Sequence, residues 1–189
     1  QELTGKDCLL QVMEGIRAAL EQGMRVKINC VALNECNEFQ WGKLAVLAKE
    51  YPLDVRFIEM MPMCDSSGFG PEAYIPFTRV LEALPEAVPA AKDGGVAKLF
   101  HLPGALGNIG LISPVSAHFC GECNRIRLTA DGKVKPCLHS NAEYPLKGLD
   151  FDGMKAQLEA AILGKPQWHG DLDAAHKSGA GRNMNQIGG

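Results

Sequence analysis

The sequence predicts an α/β array followed by a smaller α+β module, and three observations carry that reading. Helical and strand periodicities alternate as far as Pro85, the pattern then breaks into short strand-like pieces, and a turn-centred segment with three cysteines lies in that later part. Leu9, Val12, Met13, Ile16, Ala19 and Leu20 recur at helical spacing; Thr4 and Asp7 resemble a capping box ahead of them, and Gly23 closes the helix. Residues 24–33 read as a strand, with Val26, Ile28 and Cys30 on one face and Lys27 and Asn29 on the other. Leu44, Val46, Leu47 and Ala48 mark a helix over 38–50, and 54–61 is a second strand that Pro62 stops. A loop over 63–71 and a short helix over 78–84 complete an α-β-α-β-α order.

Parallel strands joined by helices place ligand sites at the carboxyl ends of the strands, in open and closed sheets alike. Lys27, Asn29 and Arg56 are therefore candidates for ligand contact. An ammonium facing such an interior needs an anion, and the plainer reading pairs Lys27 with a carboxylate such as Glu59. Beyond Pro85, residues 96–102 and 108–112 read as strands, 153–163 as a helix, and 164–189 as a tail rich in Gly, Asn, His and charge. The expected division is 1–89, 90–163 and 164–189.

At 189 residues and 46% hydrophobic, the chain can bury a core. A net charge of -3 excludes a general nucleic-acid or membrane-surface binder, so any anionic ligand must be met by local cations. Seven cysteines, odd in number and only partly motif-spaced, fit a reducing compartment better than a disulfide framework. Without a bilayer-length apolar run or a signal-peptide pattern, the expected location is the cytoplasm. The opening residues carry no initiating methionine and run straight into a helix, which suggests a piece of a longer protein.

The chemistry concentrates in FCGECNRIRLTADGKVKPCLHS, where Cys120, Cys123 and Cys137 form C-x2-C-x13-C. They converge if Cys120 and Cys123 share a turn and a hairpin returns Cys137, and Ala130-Asp131-Gly132 supplies the turn chemistry between strands 125–129 and 133–138. Zinc would need a fourth ligand, from His139, His118 or Cys64. A [4Fe-4S] cluster held by three thiolates keeps one iron open for a non-protein ligand. Spacing alone leaves both open. Cys8, Cys30, Cys36 and Cys64 read as buried or incidental. Arg125 and Arg127, two apart on a strand, point their planar donors from one face, which suits phosphate oxygens; the competing reading is a solvated strand face.

The run LISPVSAHFCGECNRIRLTADGKVKPCL, preceded by VKIN and VRFIEMMPM and closed by RNMNQIGG, resembles the GTP 3',8-cyclases, radical S-adenosylmethionine lyases of molybdenum cofactor biosynthesis. The resemblance covers nearly the whole chain. It implies the C-terminal part of an incomplete (βα)6 TIM-like barrel followed by a small α+β iron-sulfur module. It further implies that Cys120, Cys123 and Cys137 ligate a [4Fe-4S] cluster whose open iron meets the guanine of GTP. Arg125, Ile126 and Arg127 match the family's GTP-binding segment, and Lys27 its barrel lysine for GTP. Arg56 and Met61 match positions beside S-adenosylmethionine, and Gly188 and Gly189 a tail that reaches the active site. The implied reaction uses a 5'-deoxyadenosyl radical to take the ribose 3' hydrogen, after which C3' attacks guanine C8 and 3',8-cyclo-7,8-dihydro-GTP results. Implied partners are GTP, a second copy of the chain, and cyclic pyranopterin monophosphate synthase for product hand-over, with neither nucleic acid nor membrane. The family's other cluster uses C-x3-C-x2-C, a spacing absent among Cys8, Cys30, Cys36 and Cys64. The chain as it stands is thus expected to bind substrate without turning it over. The alternative from another class is a structural zinc module of a binding protein, with His139 as fourth ligand and Arg125 and Arg127 on an acidic partner or nucleic acid.

Overall fold

A computed structural model describes residues 5–63, 70–172, 178–182 and 186–187. The chain forms two compact units. One comprises Gln1–Ala32, Asn37–Ile58 and Phe77–Ile112, the other Leu33–Cys36, Glu59–Pro76 and Ser113–Gly189. The architecture is α/β, as the alternating periodicities predict.

The first unit contains α1 (Leu9–Glu21), β1 (Lys27–Ala32), α2 (Trp41–Glu50), β2 (Asp54–Glu59), α3 (Thr78–Glu82), β3 (Val88–Pro89), β4 (Lys98–His101) and β5 (Ile109–Ile112). Its five strands lie in the order β1-β2-β5-β4-β3. β2 runs parallel to β5, with Val55 opposite Ile109, while β4 is antiparallel to β5 and β3 to β4. The sheet is therefore mixed, and its β3, β4 and β5 continue through the compositional break near residue 90. Strand alternation explains the core directly: Val55 and Phe57 of β2 are buried together with Ile109 and Leu111 of β5. Trp41 at the start of α2 meets Phe57 edge-on at 6.3 Å between ring centroids.

Several boundaries differ from expectation for local reasons. α1 starts at Leu9 with Cys8 as its N-cap and no side-chain cap, while Thr4 of the expected capping box lies outside the described residues. Leu9, Leu10 and Val12 of α1 remain exposed. Residues 38–50 divide into a 3-10 turn, Glu38–Gln40, and the α-helix from Trp41. Asn37 holds that junction, accepting from Trp41 Nε1 at 2.9 Å and donating to the Val31 carbonyl at 2.7 Å. β1 begins only at Lys27, which puts this lysine at the amino end of its strand.

The second unit is built on a three-stranded sheet, β6 (Arg127–Leu128), β7 (Lys133–Lys135) and β8 (Tyr144–Pro145), followed by α4 (Phe151–Leu163). Gly132 occupies the left-handed region at φ 81° in the β6–β7 turn, the conformation for which Asp131-Gly132 is suited. Thr129 N donates to the Lys133 carbonyl at 2.8 Å and Lys133 N to Thr129 Oγ1 at 3.0 Å, closing the hairpin. Asp150 caps α4 through Gly153 N at 2.9 Å. At the end of β2, buried Glu59 accepts from Val115 N at 3.1 Å and Ser116 N at 2.9 Å, and also from Ser116 Oγ, fixing the turn ahead of the cysteines. Among the described residues, no helix is long and apolar enough to cross a membrane.

In the first unit Gly107 is packed against two backbone segments, and its N donates to the Ala48 carbonyl at 2.9 Å. A Cβ on Gly107 would collide with the Leu53 carbonyl oxygen. Gly107→Ala is expected to cost about 3 kcal/mol, at the upper end of overpacking penalties, because backbone rather than a movable side chain must yield. Chemical denaturation of the variant against the parent measures this, and an unchanged midpoint would contradict it.

Candidate functional site

Cys120 and Cys123 sit at the ends of one tight turn. The 3-10 segment Cys120–Glu122 bends the chain so that Cys123 N donates to the Cys120 carbonyl at 3.2 Å. Cys137 follows β7 and buried Pro136, so the hairpin that leaves Cys123 brings it back. All three cysteines are free thiols of intermediate exposure. The Cys120 thiol is pushed up by burial first and then by the proximity of Cys137 and Cys123. A His169 backbone hydrogen bond and the Lys165 charge oppose the rise. Among the described residues, no group of three or more His, Cys, Asp and Glu is arranged to hold a metal ion.

Lys165 is the residue that spacing could not reveal. It follows Gly164 at the end of α4, and its Nζ lies 2.5 Å from the Arg125 carbonyl, 3.0 Å from the Pro136 carbonyl and 3.5 Å from Cys123 Sγ. Nothing local marks a lysine so far along the chain as a neighbour of Cys123.

The structure treats the two arginines differently. β6 begins at Arg127, paired opposite Lys135, whereas Arg125 lies outside the strand and is exposed. Ladder geometry therefore fixes one of them, and not both on a shared strand face. Ile126 between them is 42% exposed, which leaves this segment accessible. Arg127 is near enough to His139 to contribute to lowering its pKa to about 4, after burial and the neighbouring His169. His139 Nδ1 pairs with Ser178 Oγ at 2.9 Å, and its ring lies 4.9 Å from that of His169, which in turn lies 5.7 Å from His118. Three histidines without a sequence pattern are thus brought into ring contact by folding. Cys64 lies outside the described residues.

Lys27 and Arg56 belong to the first unit. Lys27 Nζ contacts Asp93 at 3.1 Å and Asp54 at 3.9 Å. The expected pairing with Glu59 is therefore replaced: Glu59 spends its oxygens on the turn at Val115 and Ser116. The Lys27 side chain lines a small cleft of about 140 Å³ with Arg25, Asp54, Asp93 and Asn108. Arg56 keeps a buried Nε without a hydrogen-bond partner. In the second unit, Met61 packs against a cluster of Met63, Ala180 and Ile187. Gly188 and Gly189 lie outside the described residues, but Ile187 just before them is wholly buried.

The chain matches the model of the family described as Molybdenum Cofactor Synthesis C over residues 53–170. It belongs to that family. The match of this family member includes all three cysteines, both arginines and Lys165. The chain is also 40% identical to the GTP 3',8-cyclase of Alkaliphilus oremlandii and 41% to that of Alkaliphilus metalliredigens, each over 100% of this chain and 60% of the relative. With Homo sapiens molybdenum cofactor biosynthesis protein 1 it shares 40% identity over 82% of this chain and 25% of the relative. The chain thus spans about 60% of the length of the bacterial relatives.

A charge network ties this tail to the hairpin. Arg182 Nε and Nη2 grip Glu143 at 2.5 and 2.8 Å, and Nη2 reaches Asp131 at 2.8 Å. Lys133 adds 3.0 Å to Glu143. The hydrogen bond from Arg182, with Lys133 beside it, holds the Glu143 carboxyl down to about 2 from the usual 4.5. A depressed carboxylate contributes its stability above the unfolded pKa and loses it as pH falls through the folded one. Protease release of the tail is therefore expected to accelerate on acidification from about 4.5 to about 2. Glu143→Gln is expected to release the tail several-fold faster at neutral pH and to respond less over that window. An identical acid response in parent and variant would contradict this.

Proposed function

We propose that this chain is the substrate-binding, C-terminal part of a GTP 3',8-cyclase, comprising the end of an incomplete (βα)6 barrel and an iron-sulfur module. The observation that supports the reading is that Cys120 and Cys123 share one turn and Cys137 follows the hairpin that leaves it, with Arg125 and Arg127 between them, inside the family-matched stretch. A single zinc ion, with Zn–S bonds of about 2.3 Å, would draw three sulfurs within about 4 Å of one another. Cys120 and Cys123 share the 3-10 turn, Cys137 follows β7, and His139 is engaged with Ser178. With His139 engaged elsewhere, three thiolates suit a [4Fe-4S] group, in which cysteines are terminal ligands and one iron needs no protein ligand, better than a zinc site that requires a fourth.

Cys120, Cys123 and Cys137 would hold a [4Fe-4S] group as thiolates. When bound, that group supplies an iron without a protein ligand, an electrophilic position for the guanine end of GTP. The chain's own residues then set the other end: exposed Arg125 and the Arg127 guanidinium offer planar, permanently charged donors to phosphate oxygens, with the Ile126 backbone between them. Lys27 is proposed to contribute to GTP by exchanging one of its two carboxylate contacts for a phosphate. Arg56, with its unpartnered Nε, and Met61 are proposed toward S-adenosylmethionine, whose carboxylate would satisfy that donor. The tail through Gly188 and Gly189 is proposed to reach the substrate, with Arg182 and Ile187 as its anchors. The product is proposed to pass to cyclic pyranopterin monophosphate synthase. Cys8, Cys30, Cys36 and Cys64 contain no C-x3-C-x2-C spacing, so the sequence as it stands binds GTP without cyclising it.

Arg125→Ala is expected to weaken GTP binding at least tenfold, the equivalent of about 1.4 kcal/mol, while iron and sulfide content stay at the parental level. Equilibrium binding to the reconstituted chain reads the first and metal analysis the second. Unchanged nucleotide affinity would contradict the assignment of this segment. GTP cyclisation by the chain alone, given S-adenosylmethionine and a reductant, would overturn the claim that it does not turn over.

A further inference from the structure

We propose that Lys165 is a positioning residue of the cysteine centre: its ammonium joins the chain segment leaving Cys123 to the segment arriving at Cys137 and sets the charge beside the sulfurs. The inference deepens the iron-sulfur reading and rests on it for the second half of that statement. A lysine ammonium has three N–H donors. Here each has an acceptor, and the three acceptors are the Arg125 carbonyl at 2.5 Å, the Pro136 carbonyl at 3.0 Å and Cys123 Sγ at 3.5 Å. The two carbonyls belong to opposite arms of the hairpin, one two residues after Cys123 and one immediately before Cys137. A single side chain thus fixes how far apart the arms stand at the level of the cysteines, below the point where β6 and β7 pair.

The side chain is delivered from a rigid element. α4 is capped by Asp150, and its end is closed by Gly164 N donating to the Ala160 carbonyl at 2.8 Å and Lys165 N to the Ile162 carbonyl at 3.3 Å. Gly164 lies so close to the Tyr144 hydroxyl of β8 that a Cβ would collide with it. This close packing seats the helix end on the sheet. Among the described residues, the hydrogen-bond partners of Lys165 are neutral carbonyls and sulfur, which sets a positive charge beside the thiols. Three thiolates gather negative charge, and one-electron reduction of a group they hold adds one more. A fixed cation at Cys123 favours the reduced form and raises the midpoint potential. Holding the Arg125 carbonyl also fixes the backbone from which the proposed phosphate-binding side chain departs.

The test compares the full chain with Lys165→Met, which keeps length and loses charge and donors, and with Lys165→Arg, which keeps both. Each is reconstituted anaerobically with ferrous iron and sulfide and titrated with dithionite. The expected result is a lower potential in Lys165→Met, by at least a tenfold shift in the reduction equilibrium, about 59 mV for a one-electron couple, with most of it regained in Lys165→Arg. Loss of iron from Lys165→Met alone would equally support the role. Parental potential and iron content in Lys165→Met would overturn it. Hydrogen exchange on the metal-free chains decides the positioning half independently: amides of residues 124–138 should exchange at least tenfold faster in Lys165→Met, with those of β2 unchanged as a folding control. Parental exchange there would overturn it. Should no chain, the parent included, take up iron, the iron-sulfur reading fails while this second comparison still decides whether Lys165 joins the arms.

Discussion

The second unit is organised around one constraint, which is that Cys137 must return to the turn that carries Cys120 and Cys123. Two thiols close in sequence need only a local bend, and the 3-10 segment provides it. The third needs a reversal of the chain with its register fixed, since a slip of one residue would turn the Cys137 side chain to the other face. Gly132 at positive φ, the paired contacts of Thr129 with Lys133, and the pairing of β7 with both β6 and β8 fix that register. α4 and its terminal Lys165 then act on the same arms from outside the sheet.

Charge is distributed to serve the same end. Over the whole chain acidic residues outnumber basic ones, so an anion can be met only where cations are concentrated and not already neutralised. Around the hairpin, Asp131 and Glu143 take up Arg182 and Lys133, and Lys135, almost wholly buried, donates to the Ser140 carbonyl at 2.6 Å with Glu143 at 3.6 Å. Those cations are structural: they hold the hairpin and the tail together. Exposed Arg125 and the Lys165 ammonium are of another kind, one open to solvent and one turned to carbonyls and sulfur. The division between cations that close the structure and cations that face a ligand separates the tail network from the proposed site.

Much of this was legible from residues alone because its causes are local. Alternation in D-V-R-F-I-E, the Asp131-Gly132 turn and the C-x2-C spacing each act within a few residues, and each has its expected counterpart in the structure. What escaped depends on contacts between distant segments. The partners of Lys27 are Asp54 and Asp93, brought to it by sheet order, and the third strand β8 has only two residues, one a proline, too short for any periodicity. The histidines meet through folding of the tail. Arg125 and Arg127 illustrate a subtler limit, since alternation puts both on one strand face only if the strand reaches Arg125, and it starts at Arg127. Lys165 gave no signal because its acceptors are backbone carbonyls, which every residue carries.

The central claim is that the three cysteines hold an iron-sulfur group to which GTP binds. The most direct measurement is iron, sulfide and zinc content of the anaerobically reconstituted chain, with its absorption spectrum recorded before and after GTP. About four irons and four sulfides per chain, with a spectrum perturbed by GTP, is the predicted result. One tightly held zinc, no iron uptake and no response to GTP would contradict the account and leave a structural metal module in its place.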